Sequence, residues 1–278
     1  MIAVLNFLTD PLAEPINQRA FAEVALLGVV GGALGCWIVF YELSYGAESL
    51  AHSLFPGLVV AALIGAPLLV GGAAGILVAA VAIALARRVP AIGGDTAVAV
   101  VITALFGLGV VLALSPESPP GIQELLFGDI LGVTDLDLAL GAALAAVVLG
   151  SLWLLHTRLL AVGFDRTTAR PLGASPALAD TALLVLIALA VLIAVQGMGN
   201  LLVVAVLVGP AATARLLARR MAPMMALAAA VGVLAGAGGL YLSFYANTAA
   251  GASIAGVMVA VYLLAAAAAA TPLMRPRR

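Results

Sequence analysis

From residue 20 to residue 271 the chain is almost entirely a succession of apolar runs, each close to twenty residues long and cut from the next by Pro, Gly or clustered charge. A helix needs roughly 20 residues to cross the hydrocarbon core of a bilayer, and inside that core every backbone N–H and C=O must be paired within the segment itself. The runs lie at 20–42, 47–65, 68–87, 95–115, 136–157, 177–197, 199–218, 222–246 and 251–271. They specify an all-α fold, a polytopic transmembrane helical bundle of about nine spans, with eight as the alternative count. Two of the divisions rest on breakers. Residues 47–87 and 177–218 are nearly continuous apolar stretches, each about 60 Å long if one helix. Gly65-Ala66-Pro67 divides the first and Gln196-Gly197-Met198-Gly199-Asn200 the second. Composition agrees: 65% of residues are hydrophobic, only 9% are charged, and mean hydropathy is +1.25, whereas a soluble domain is roughly 25% charged.

Charge placement gives the orientation, because short loops rich in Lys and Arg stay in the cytoplasm. All 12 basic residues are arginine. Arg87 and Arg88, then Arg158, Arg166 and Arg170, then Arg215, Arg219 and Arg220, then Arg275, Arg277 and Arg278 follow odd-numbered spans. The opposite side receives Arg19 and the acidic residues Glu117, Glu124, Asp129, Asp135 and Asp137. The N-terminus is therefore expected outside and the C-terminus in the cytoplasm. This divides the chain into an extracytoplasmic segment at 1–19, a transmembrane domain at 20–271 and a basic cytoplasmic tail at 272–278. An outside loop occupies 116–135 and a cytoplasmic loop 158–176. The stretch from Ile2 to Leu8 has no basic region ahead of it and does not read as a signal peptide.

The absence of lysine removes one function class. A P-loop ATPase uses the lysine of G-x-x-x-x-G-K-[ST] to hold the β/γ-phosphates, so this chain is not expected to hydrolyse ATP. An ATP-driven process would need a separate motor docked on a cytoplasmic surface. The segment Gly163 to Pro176 suits that role: it has mixed charge, and Asp165 is placed to cap a short helix ended by Pro171 and Gly173. Cys36, the single cysteine, reads as a small buried hydrophobe.

Within this apolar chain, Glu48 and His52 stand four residues apart at the start of the second run. On a helix they share one face, so carboxylate and imidazole can reach one cation, and that donor set suits Zn²⁺, Mn²⁺ or Fe²⁺. The bland alternative is a hydrogen-bonded pair at the membrane boundary. Asp95 follows Gly93-Gly94 and reads as the cap of span four; Asp129 lies in the outside loop, where Pro119-Pro120-Gly121 and Leu125-Leu126-Phe127 suggest a short helix dipping toward a pore. His156, Arg215 and Glu42 read as interfacial residues. Gly28, Gly31, Gly32 and Gly35, with Gly232, Gly236 and Gly239, have small-xxx-small spacing, which fits tight packing within the bundle better than a dimer seam.

Five segments, in order, resemble the successive motifs of bacterial ABC permeases for zinc, manganese or iron(II): Tyr45 to Ser53, Gly94 to Ala97, Leu126 to Leu131, Phe164 to Gly173, and Pro210 to Leu216. The resemblance spans about residue 20 to 271. It implies a permease homodimer in the bacterial cytoplasmic membrane, a pair of cytoplasmic ATP-binding cassette subunits and an extracytoplasmic metal-binding protein that delivers the ion. It implies no permanently bound cofactor and no nucleic acid; the metal is cargo. His52 matches the family histidine of metal passage, and Glu48 stands where the family usually has Asp, so its carboxylate reaches about one bond further. Asp95 and Asp129 would have gating or structural roles. Phe164, Asp165, Arg166, Ala169, Arg170 and Gly173 would form the contact with the ATPase. An ABC permease for a siderophore or cobalamin, and a secondary carrier, remain as alternatives. An intramembrane metalloprotease is disfavoured because the two histidines lie about a hundred residues apart and no H-E-x-x-H motif is present.

Overall fold

A computed structural model describes residues 9–86, 94–116, 118–119, 121–122, 124–171 and 173–270. Among them the chain is helical and contains no strand. After a short 3₁₀ turn at Asp10–Leu12, the helices are α1 (Pro15–Phe40), α2 (Ser44–Ile64), α3 (Leu68–Ala86), α4 (Gly94–Ala113), the one-turn α5 (Glu124–Phe127), α6 (Asp135–Phe164), α7 (Pro176–Val195), α8 (Gly197–Leu217), α9 (Met221–Ala246) and α10 (Ala250–Ala270). Nine of these are long and apolar enough to cross a membrane among the described residues, in the order expected from the runs.

Both inferred divisions are breaks in the helix. Gly65 takes the left-handed conformation (φ 68°) that ends α2, and the Ala66 N–H donates back to the Ala61 carbonyl at 2.8 Å, with Pro67 preventing continuation. Between α7 and α8 the break is sharper, since Gly199 has φ 71° and ψ 163°. That region of backbone space is essentially reserved for glycine. The break reverses the chain. A Cβ on Gly46 would face Leu184 and one on Gly72 would meet both Leu54 and Leu192, so α7 runs alongside α2. Gly31 instead faces Val206, and Gly35 faces Leu207 and Ala211, so α8 runs alongside α1.

The small residues of α1 are what let it sit inside the bundle. A Cβ on Gly28 would come within 2.6 Å of the Val233 nitrogen, and one on Gly32 within 2.5 Å of Ala228 backbone. Gly28 and Gly232 therefore face each other, with Gly32 against Ala228 and Gly236 against Val24, so α1 and α9 pack antiparallel within the same chain, as the packing reading of their spacing expected. Between α2 and α3 the same device recurs at Gly57, Gly71 and Gly75.

Two expected boundaries shift. Helix α6 runs to Phe164, beyond the expected end at 157, because Leu159 and Val162 are buried and continue the packed face. Thr134 starts α6 with a reciprocal capping box to Asp137. The short helix expected after Asp165 is a single turn, with the Ala169 N–H donating to the Asp165 carbonyl at 3.1 Å. Pro171 and Gly173 (φ 77°) end it before the cost of helix nucleation can be recovered. The tail at 272–278 lies outside the described residues.

Candidate functional site

Helix α2 carries Glu48 and His52 one turn apart, with His52 Nε2 3.9 Å from Glu48 Oε1. His52 is the ninth residue of α2, about 12 Å along the axis from its start. Its side chain is 23% exposed and that of Glu48 is 54% exposed.

The other face of the imidazole is held by a residue from the α7–α8 break. Asn200 is fully buried, its Nδ2 donates to the Ala51 carbonyl, and its Oδ1 lies 2.9 Å from His52 Nδ1. A carbonyl oxygen can only accept, so the amide must direct its NH₂ at Ala51 and its oxygen at His52. The imidazole then carries its proton on Nδ1 and donates it to Asn200. In the neutral imidazole Nε2 then keeps its lone pair, on the side where Glu48 lies. That is the tautomer a metal-binding histidine needs, fixed by the outer hydrogen bond that such ligands commonly make. The Phe106 ring lies 4.6 Å from the His52 ring and 5.4 Å from Phe55, so an apolar wall backs the imidazole.

Ligands about 2.1 Å from a common metal stand roughly 3 to 3.5 Å apart at angles near 90–110°. The Glu48–His52 gap is slightly wider, and the half-exposed Glu48 has room to close it. No group of three or more His, Cys, Asp or Glu side chains gathers at a possible metal position among the described residues. The pair offers one nitrogen and one carboxylate.

The other sequence candidates lie elsewhere. Asp129 is exposed, and its Oδ1 accepts from the Gly132 N–H at 3.0 Å, which closes a turn in its own loop. Asp95 is the second residue of α4, and its side chain lies outside the described set. The 116–135 loop packs against the break between α7 and α8. Gly128 (φ 80°) follows α5, and a Cβ there would collide with Met198 and Gly199 at the break. Loop and break are therefore packed backbone to backbone, with Ile130 buried beside them.

Around the connection from α6 to α7, Asp165 binds the Thr167 N–H at 2.8 Å, the Thr167 hydroxyl at 2.6 Å and the Thr168 hydroxyl. Those hydrogen bonds, from Thr167 first and then Thr168, hold its carboxyl well below the usual range. Arg166 makes a two-pronged contact with Asp180 at 2.9 and 3.0 Å, tying the turn to α7. Tyr41, at the end of α1, donates to the Leu159 carbonyl at 2.7 Å, and burial pushes its hydroxyl up to about 12. Ala169 is buried beneath the turn, while Phe164 is 77% exposed and packs edge-on against Phe40. Arg170 and Gly173 are exposed on the same turn.

Three residues of this region escaped the sequence reading: Asn200, Phe106 and Glu23. Glu23 is 4% exposed in α1, beside Gly141 and Gly197, and its Oε2 has no hydrogen-bond partner among the described residues. A lone polar residue in a transmembrane run is a signal for each of the two polar ones. Phe106 carries none.

The sequence pattern of the ABC 3 transport family matches residues 13–269. The chain is 33% identical to the manganese transport system membrane protein MntC of Halalkalibacterium halodurans, over 95% of this chain and 90% of that one. It is 31% identical to the chelated iron transport system membrane protein YfeC of Yersinia pestis, over 94% and 88%. Its fold matches the solved structure of PsaBC from Streptococcus pneumoniae in complex with Fab at a TM-score of 0.87, with 30% identity and 95% of each chain covered.

Proposed function

The chain belongs to the ABC 3 transport family, and from that premise we propose that Glu48 and His52 are transient ligands for a divalent transition metal ion passing through the permease. It is a multi-pass protein of the bacterial cytoplasmic membrane and the permease subunit of a metal-ion ABC transporter. Family membership excludes the secondary carrier. The names of its relatives give manganese and chelated iron as their cargoes, and the carboxylate–imidazole donor set accepts Mn²⁺, Fe²⁺ and Zn²⁺ alike.

The observation that carries the reading is the hydrogen bond between Asn200 Oδ1 and His52 Nδ1. Asn200 holds Nδ1, so Nε2 faces Glu48 with its lone pair available. Two ligands are half of a closed four-coordinate shell. An equivalent pair from a second copy across a two-fold axis would complete it, and an open shell lets the ion leave on the far side. His52 is confined between Asn200 and Phe106, which suits a bare ion better than a siderophore or cobalamin.

The remaining roles follow the same reading. The N-terminus and the 116–135 loop face outside, where a metal-binding protein delivers the ion, and the contact of Gly128 with the α7–α8 break lies between that side and His52. The connection from Phe164 to Gly173 faces the cytoplasm and receives the ATP-binding cassette subunit, which supplies the hydrolysis. Asp165 and Arg166 make that surface rigid, so motion of the motor is transmitted to α6 and α7. The test is uptake of radiolabelled Mn²⁺, Fe²⁺ and Zn²⁺ by cells lacking this chain and by cells with it restored. Restoration should raise uptake of at least one ion, and equal uptake of all three in both strains would refute the assignment.

A further inference from the structure

At the end of the bundle opposite the outside loop, a cavity of about 480 Å³ opens between the ends of α1, α6 and α8 and the start of α9. Its polar wall is His156, Arg215, Arg219 and Arg220, and its apolar wall includes Phe40 and Phe164. The two arginines with ion pairs among the described residues, Arg19 and Arg166, are matched to Asp135 and Asp180. The three cavity arginines have no ion-pair partner among the described residues. His156 is held edge-on against Trp37 at 5.4 Å, so its ring is a fixed part of the wall. Arg220 immediately precedes α9, which brings the positive end of a 26-residue helix to the cavity.

We propose that this cavity binds the phosphate headgroup of an anionic phospholipid from the cytoplasmic leaflet. Three unpaired guanidinium groups and a helix N-terminus converge on one hollow, and guanidinium is the side chain best matched to phosphate oxygens. The volume suits a headgroup. Phe40 and Leu160 form an apolar flank on which the acyl chains can lie. The cytoplasmic leaflet is where anionic lipids are enriched, and basic pockets between helix ends on that side recognise their headgroups. The inference rests on the orientation adopted under Proposed function but not on the metal site. A bound lipid would brace the α8–α9 connection against α6, the helix that leads into the surface facing the ATPase.

The test uses the full chain reconstituted in nanodiscs of mixed phosphatidylglycerol and phosphatidylcholine, released and weighed by native mass spectrometry. The wild-type chain should retain phosphatidylglycerol in preference to phosphatidylcholine. The triple variant Arg215→Gln, Arg219→Gln, Arg220→Gln should lose that retention by on the order of tenfold or more. The charge-preserving triple Lys variant should keep most of it, which separates loss of binding from loss of folding. Arg158→Gln, which removes an arginine outside the cavity, should leave it unchanged. Equal retention in the triple Gln variant would overturn the proposal, as would displacement of the lipid by millimolar inorganic phosphate. Loss of co-purification with the ATPase subunit at unchanged lipid retention would overturn it too, and would mark the cavity as a protein interface. Metal uptake by the same variants is a separate readout, so a failure here leaves the transport reading standing.

Discussion

Asn200 holds His52 from the opposite side of the chain: its Oδ1 lies 2.9 Å from His52 Nδ1 while its Nδ2 donates to the Ala51 carbonyl one residue away. The partners are 148 residues apart in sequence, and the link joins the break between α7 and α8 to the helix that carries the proposed ligands. A change in the break is therefore a change in the orientation of the imidazole.

Replacing Asn200 by Leu keeps the volume and removes both hydrogen bonds. Loss of an outer-shell partner of a metal-binding histidine commonly costs 10–100-fold, so metal uptake per assembled transporter should fall by roughly that factor. Asn200→Asp should fall between the two, because the carboxylate still accepts from Nδ1 but meets the Ala51 carbonyl without a proton. Uptake normalised to the amount of permease in the membrane reads both.

At Gly35 the constraint is steric. A Cβ there would overlap the Leu207 carbonyl oxygen and crowd Ala211, and both belong to backbone or to a short side chain that cannot swing away. Gly35→Ala should destabilise the bundle by about 2 kcal/mol or more, seen as a lower melting temperature of the detergent-solubilised protein. Gly256→Ala has open space around its Cβ and should melt like the wild type.

The turn at Asp165 should respond to pH. Its carboxyl is held below the usual range by Thr167 and Thr168, so in the folded turn it stays charged at pH values where an unfolded one is protonated. The resulting stabilisation is fully present above the ordinary carboxylate pKa of about 4 and is lost as pH falls through the lower folded value. Pepsin should therefore nick residues 165–174 of the wild type only well below pH 4, whereas Asp165→Asn should be nicked throughout the acid range.

Much of this architecture is local and hence legible in the sequence. Gly65-Ala66-Pro67 ends a helix by its own backbone preferences, and Gly197-Met198-Gly199 marks the second break because only glycine takes the conformation at 199. The Glu48–His52 pair is legible because four residues make one turn. What holds the pair in place was not legible: Asn200 and Phe106 reach it through tertiary packing. Glu23 stands out in sequence as a lone polar residue in an apolar run, but its surroundings at Gly141 and Gly197 come from two other helices and do not. The extension of α6 to Phe164 was missed because Arg158 looks like a boundary in sequence, whereas a long basic side chain can leave its helix intact and reach toward the headgroups.

The central claim, that the ion passes by way of Glu48 and His52, is tested most directly by measuring radiolabelled Mn²⁺ uptake alongside membrane assembly for His52→Ala and Glu48→Ala. Both variants should assemble at wild-type levels and lose uptake by a factor of about a hundred or more, while Glu48→Asp should retain it. Wild-type uptake by fully assembled His52→Ala and Glu48→Ala would contradict the account.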